Sequence, residues 1–296
     1  MMTRKIRKLA VTAMCCAVAA AGLSGCEDDD MNSFPFDEKQ KAADFVGAKK
    51  FDLDGKSVSV SCSGKLAAGK PVVVLLHGGG DGLSKMAAFQ KTLSGKNRVC
   101  SYDRLGAGTS DKPDGPQSFT STGKILTGVL DEIAGDAPVV LAGHSMGGLI
   151  AARYAPDHQK RVKGLVLMDA TPSTMLADME QAIPASAKGP AAQVREQNLA
   201  IFQGQNPEKL AMPDGKVRSA GNTAVEVIKH GKPYLAAIPE SGPRLEQAWT
   251  AGQRKWLALS GRSKLTTAEK SGHYIYLEQP DVAVQAVARV STQAAG

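Results

Sequence analysis

The chain is poor in the residues that mark several functional classes. Five histidines occur, and they are scattered: His77, His144, His158, His230 and His273. No pair of them has the spacing of a zinc-hydrolase helix, so no metal is expected. No phosphate loop or dinucleotide fingerprint is present, so no cofactor is expected. Aromatic residues make up 5% of the chain, and no basic stripe interleaves with them, which argues against nucleic acid as a partner. No apolar run reaches the roughly 20 residues of a membrane-spanning helix. Acids are missing from the first eight residues, where Arg4, Lys5, Arg7 and Lys8 stand together.

That basic start leads into a short apolar stretch from Leu9 to Leu23 and then Leu23-Ser24-Gly25-Cys26. A basic head, a short apolar middle and a small-residue ending make an export signal. The ending resembles a bacterial lipobox. The resemblance implies that residues 1–25 are removed and that Cys26 becomes a lipidated N-terminus. The expected location is the bacterial cell envelope, with the lipid holding the protein at a membrane surface it does not span. Four of the 36 basic residues leave with the signal, so 32 remain against 29 acids, a net charge of +3 rather than +7. The positive balance is thus partly a targeting feature.

Of five cysteines, Cys15 and Cys16 fall in the signal, Cys26 at the lipid site, and Cys62 and Cys100 remain. Two cysteines in an exported chain invite a disulfide. Both lie at the ends of candidate strands. They bridge if those strands are neighbours and are buried thiols if they are not.

The 296 residues, 43% hydrophobic and 22% charged, suit one sizeable domain. Residues 26–50 read as a solvated tether, opening on Glu27-Asp28-Asp29-Asp30, with helix possible over 38–45. Asp54-Gly55 signals a hairpin within 51–62. Apolar runs at 71–76, 97–102, 139–142 and 162–169 read as buried strands, separated by helical patterns at 84–93, within 115–135 and after residue 145. Further strands are expected at 233–239 and 263–269, with helices over 243–259 and 281–290. Strands alternating with helices predict an α/β fold, a doubly wound and mostly parallel sheet. The core then spans 51–171 and 224–296. Residues 172–223, with helical pieces at 175–183 and 190–202, read as a small helical cap inserted after the sixth strand.

The chemistry centres on Gly143-His144-Ser145-Met146-Gly147-Gly148, between an apolar strand and a helix. This is a nucleophile elbow, in which glycines allow a turn too tight for a Cβ. A serine hydroxyl needs a base. His144 adjoins Ser145 and should point away from it. His77 belongs to a glycine-rich loop, and His158 and His230 fall at expected helix ends and read as surface. His273, after the last strand, is the base by position and elimination. An oxyanion needs two donors. The amide of Met146, at the helix start, supplies one. An amide of His77-Gly78-Gly79-Gly80, most simply Gly79, supplies the other.

These motifs, in this order, are similar to those of the α/β-hydrolase superfamily. Tyr102-Asp103-Arg104 with Gly106, Gly108 and Ser110 resembles that family's loop after its fourth strand. The resemblance covers roughly residues 55–290 and is weakest in the cap. It implies a triad in the chain order serine, acid, histidine, with the acid after strand six or seven. Asp169 stands after strand six. After strand seven the common aspartate is missing, and Glu240 is the alternative. The resemblance also sets the strand ending near Cys62 beside that of Cys100, which implies their disulfide. It implies a serine hydrolase acting on a small-molecule, ester-like substrate through an acyl-enzyme on Ser145. Amide or carbon–carbon cleavage, acyl transfer, cofactor-free perhydrolysis and a non-catalytic binding lipoprotein are the competing readings. A serine at the elbow argues against dehalogenase and epoxide hydrolase chemistry, which needs a carboxylate there.

Overall fold

The computed structural model describes residues 44–295; the signal segment and Cys26 lie outside the described residues. Asp54 and Gly55 both take left-handed conformations, φ 53° and 72°, and join strands β1 (Gly47–Leu53) and β2 (Lys56–Ser63). β1 starts at Gly47, inside the stretch expected to be tether. Its first four residues are exposed on the sheet edge, so no apolar alternation marked them.

β3 (Val72–Leu76), β4 (Val99–Tyr102), β5 (Val139–His144) and β6 (Val162–Met168) follow, with helices α1 (Ala87–Leu93), α2 (Phe119–Ala134) and α3 (Met146–Tyr154) between them. The apolar runs are continuous because the sheet is covered on both faces. Val72, Val74 and Leu76 enter one core with α2 and α3. Val73 and Leu75 enter a second with Phe89 of α1. Each such fully buried side chain contributes about 1.5–3 kcal/mol relative to exposure.

After β6 the chain leaves the sheet as α4 (Met175–Ala182) and α5 (Gly189–Phe202), then returns as β7 (Ala224–His230). It ends with α6 (Gly242–Lys255), β8 (Ser263–Ala268), the single turn α7 (Ile275–Glu278) and α8 (Pro280–Ala294). Met175 and Met179 of α4 and Phe202 of α5 share the first core with Leu245 and Trp249 of α6.

The seventh strand is displaced from its expected position. It runs over 224–230, and Tyr234–Ala237 is a turn of 3-10 helix. Glu226 and Lys229 interrupt the apolar run and disguise the strand. Glu226 is buried there because Arg289 of α8 donates to both its oxygens, at 2.9 and 3.1 Å. That compensation comes from 63 residues away and leaves no local signal.

The eight strands are ordered β1-β2-β4-β3-β5-β6-β7-β8. β2 is antiparallel to both neighbours, and every other pair is parallel. Cys62 lies directly opposite Cys100 on β2 and β4, and the two form a disulfide. The register sets Leu76 beside Gly143, His144 beside Met168, Met168 beside Ile228, and His230 beside Ala268. The carboxyl ends of β3, β5, β6, β7 and β8 therefore finish in one row. The loops leaving that row carry the candidate chemistry, as expected for the carboxyl edge of an open parallel sheet.

Candidate active site

Ser145 is the single residue between β5 and α3, and it takes φ 50°, ψ −120°. A residue with a Cβ adopts such a conformation only under constraint from its surroundings. A Cβ on Gly143 would lie 2.5 Å from the carbonyl of Gly147, and one on Gly147 would lie 2.3 Å from the Leu76 carbonyl oxygen. Glycine at both positions lets the elbow press against β3. The turn is also pinned to the β6 loop. Ser145 N–H donates to the Met168 carbonyl and Thr171 N–H donates to the Ser145 carbonyl, both at 3.1 Å. The Ser145 hydroxyl lies 3.5 Å from that of Thr171, a residue to which the sequence pattern gave no role.

Asp169 follows β6 directly, also with a left-handed backbone (φ 45°), and is fully buried. His273 follows β8, and its Nδ1 donates to Asp169 Oδ2 at 2.7 Å. Asp169 Oδ1 accepts from Trp249 Nε1 at 2.9 Å and from His230 Nδ1 at 2.8 Å. The Tyr234 hydroxyl sits 3.2 Å from His273 Nδ1 and is also hydrogen-bonded to Asp169. Burial alone would raise the Asp169 pKa. The hydrogen bonds from His230 and His273 outweigh burial and hold it at about 2, so the carboxylate is ionised.

The structure thus joins His273 to Asp169. Glu240 instead is exposed, in the turn after Tyr234–Ala237. His230 departs from its expected surface position. It ends β7 with 2% of its surface exposed, because the seventh strand lies over 224–230 rather than 233–239. His144 reaches the loop that carries His273. Its Nε2 donates to the His273 carbonyl at 3.0 Å, and the two rings lie with centroids 4.5 Å apart, tilted by 53° to each other. Burial, reinforced by His273, pushes the His144 pKa down to about 3, so this ring is neutral and braces the His273 loop.

The glycine-rich loop after β3 is braced from below. Arg104 donates to the carbonyls of His77 (2.7 Å) and Gly78 (3.0 Å). The same guanidinium meets Glu208 through Nε at 2.6 Å and Nη2 at 2.8 Å, a fork that ties the inserted segment to the loop. Burial, together with Arg104, holds the His77 pKa well below the usual histidine range, so His77 is a neutral part of this brace.

Gly79, Ser145 and Met146 line one cavity of about 620 Å³, and the inserted segment closes over it with Ile201, Phe202 and Met212. No lysine, arginine or histidine is among its lining residues, and its acids are Asp81 and Glu208. Glu208 is neutralised by Arg104. Asp81 has one buried oxygen with no hydrogen-bond partner among the described residues. The cavity therefore offers an apolar wall and a negative rather than a positive field.

A serine on a strained elbow at the carboxyl edge of this sheet, with a histidine–aspartate pair on the next loops, is the arrangement of the α/β-hydrolase fold, and the chain has that fold. A family model for the alpha/beta hydrolase fold matches residues 71–213. Among curated proteins, the (lyso)-N-acylphosphatidylethanolamine lipase of Mus musculus is 30% identical over 100 residues, covering 33% of this chain and 29% of that protein. The 1-acylglycerol-3-phosphate O-acyltransferase of Sus scrofa is 26% identical over 258 residues, covering 71% of this chain and 74% of that protein. The match spans less than a third of the length of the first such relatives. Among solved structures, the enol-lactonase from Burkholderia xenovorans LB400 superposes with a TM-score of 0.58 at 21% identity, over 82% of this chain and all of that one.

Proposed function

We propose that this protein is a serine hydrolase that cleaves carboxylic esters of small molecules through an acyl-enzyme on Ser145. The observation that carries this reading is the 2.7 Å bond from His273 to the buried Asp169, on loops adjoining a serine held in a strained elbow. In the proposed reaction Ser145 rotates from Thr171 toward His273, and Nε2 takes its proton as Oγ attacks the ester carbonyl. Asp169 keeps the other ring proton on Nδ1, so that Nε2 is the basic nitrogen, and stabilises the imidazolium. The amides of Met146 and Gly79 hold the oxyanion. Met146 opens α3, where unpaired amides and the helix dipole favour negative charge. His273 returns the proton to the departing alcohol. It then deprotonates the water that releases the acid.

The cavity supports a substrate preference within this class. A carboxylate or phosphate on the substrate meets no cationic side chain there, and Asp81 repels it, so uncharged esters are favoured. The N-terminal pattern supports export and lipidation at Cys26, and the Cys62–Cys100 disulfide suits an oxidising compartment. Mass spectrometry of the mature N-terminal peptide, carrying or lacking the lipid on Cys26, tests that part.

The function is tested by hydrolysis of p-nitrophenyl esters of graded chain length, neutral and anionic. Ser145→Ala is expected to abolish turnover while the fold is retained. Asp169→Asn is expected to lower kcat by about 10⁴-fold, as for the acid of serine proteases, and Glu240→Gln to leave it unchanged. Full activity in Ser145→Ala would falsify the assignment.

A further inference from the structure

His230 lies between two carboxylates. Its Nδ1 is 2.8 Å from Asp169 Oδ1, and its Nε2 is 2.5 Å from Glu246 Oε1 on α6. An ionised carboxylate only accepts, and a neutral imidazole has one N–H to give. Both contacts are hydrogen bonds together only if the unit carries a second proton. The ring is 2% exposed, so water does not substitute for either partner. The other oxygen of Glu246 is buried with no hydrogen-bond partner among the described residues, which leaves His230 as the group that compensates this acid.

We propose that His230 is a positioning residue, held as an imidazolium between Asp169 and Glu246, and that the unit setting up Ser145 is the chain Glu246–His230–Asp169–His273. The proposal rests on the reading that Asp169 orients His273. Its physical content is a charge balance. Asp169 is fully buried, and a lone carboxylate there would be strongly disfavoured. His230 supplies the positive charge that keeps Asp169 ionised, and Glu246 keeps that charge on His230. The three sum to a single negative charge, the same as a lone aspartate, and His273 meets it in the transition state.

The other groups facing the ring fit this arrangement. Tyr234 packs edge-on at 4.8 Å between centroids. Burial, with Asp169 and Glu246 adding to it, raises the Tyr234 pKa, so the phenol stays neutral. Trp249 donates to the same Asp169 oxygen. Lys229, on the same strand, donates to the His230 carbonyl at 3.2 Å rather than pairing with either acid. The β8 neighbour in register is Ala268, which is apolar. Burial lowers the His230 pKa, but Asp169 and Glu246 overcome it, and the net shift is upward.

Loss of the His230 proton leaves one N–H contested by two carboxylates, and Asp169 loses a fixed partner. The wild-type enzyme should therefore show an alkaline fall in kcat/KM on neutral p-nitrophenyl esters. The midpoint should coincide with the titration of His230 followed by NMR of ¹³C- or ¹⁵N-labelled histidine. Glu246→Gln keeps the shape and removes the charge. It is expected to move both midpoints down together by about one pH unit or more, the usual effect of losing an adjacent opposite charge. His230→Gln is expected to lower kcat with little change in KM and to lack this alkaline fall. A neutral His230 at pH 7, or a kinetic midpoint that stays put while the NMR midpoint moves in Glu246→Gln, overturns the proposal. Circular dichroism of each variant separates these results from unfolding. A failure here leaves the Ser145 reading standing, because that is decided by Ser145→Ala and Asp169→Asn.

Discussion

Asp169 concentrates the electrostatics of the site in one side chain. It takes N–H donors from His273, His230 and Trp249 while fully buried. Its folded pKa of about 2 lies below the ordinary 3.8, so its contribution to stability is present above about pH 4. That contribution fades as pH falls through 2 and amounts to on the order of 2 kcal/mol. His230 is shifted the other way. Its contribution is complete below the ordinary histidine pKa of 6.5 and fades as pH rises through its own raised value. Urea denaturation across pH should show highest stability between these limits. Asp169→Asn is expected to flatten the acid side and His230→Gln the alkaline side. A curve unchanged by both would contradict the charge assignments. At this scale the sequence was legible where geometry admits one residue type. Gly143 and Gly147 are required by backbone contact, and Ser145 sits between them. Thr171, Tyr234, His230 and Glu246 join the site through tertiary placement and have no local pattern.

Among the elements, the apolar strands and the helices between them were readable because their periodicity is unbroken. β7 was not, since a buried Glu226 paired with Arg289 of α8 mimics a polar loop in one dimension. Moving that strand moved His230 from an apparent surface to the centre of the site. The loop after β3 depends in the same way on a distant element. Glu208, in the inserted segment, holds Arg104, and Arg104 holds the carbonyls of His77 and Gly78. Removing one partner of a buried ion pair costs about 3–5 kcal/mol. Glu208→Ala should lose that much in equilibrium unfolding and also reduce kcat, because the Gly79 loop is freed. Replacing Arg104 and Glu208 together by apolar residues should restore much of the stability but not the rate. If Glu208→Ala lost stability with kcat intact, the loop would not depend on this brace.

The whole molecule follows from strand order and register. The central parallel strands bring residues 77–80, 145, 169, 230 and 273 to one edge from five separate stretches of sequence. Between β2 and β4, next to β3, the Cys62–Cys100 bridge closes a separation of 38 residues. A bridge of that kind stabilises by about 2–4 kcal/mol. Cys62→Ser with Cys100→Ser should therefore lower Tm measurably without changing kcat, since neither residue lines the cavity. A loss of kcat at a temperature where the variant is folded would mean that this pair of strands influences the site. The central claim concerns Ser145 itself. Its most direct test is intact and peptide mass spectrometry after a fluorophosphonate probe is added to the folded protein. One adduct is expected, on Ser145, formed far more slowly in Asp169→Asn and absent in Ser145→Ala. An unlabelled Ser145 in folded wild-type protein, or an adduct on another residue with ester hydrolysis persisting in Ser145→Ala, would contradict it.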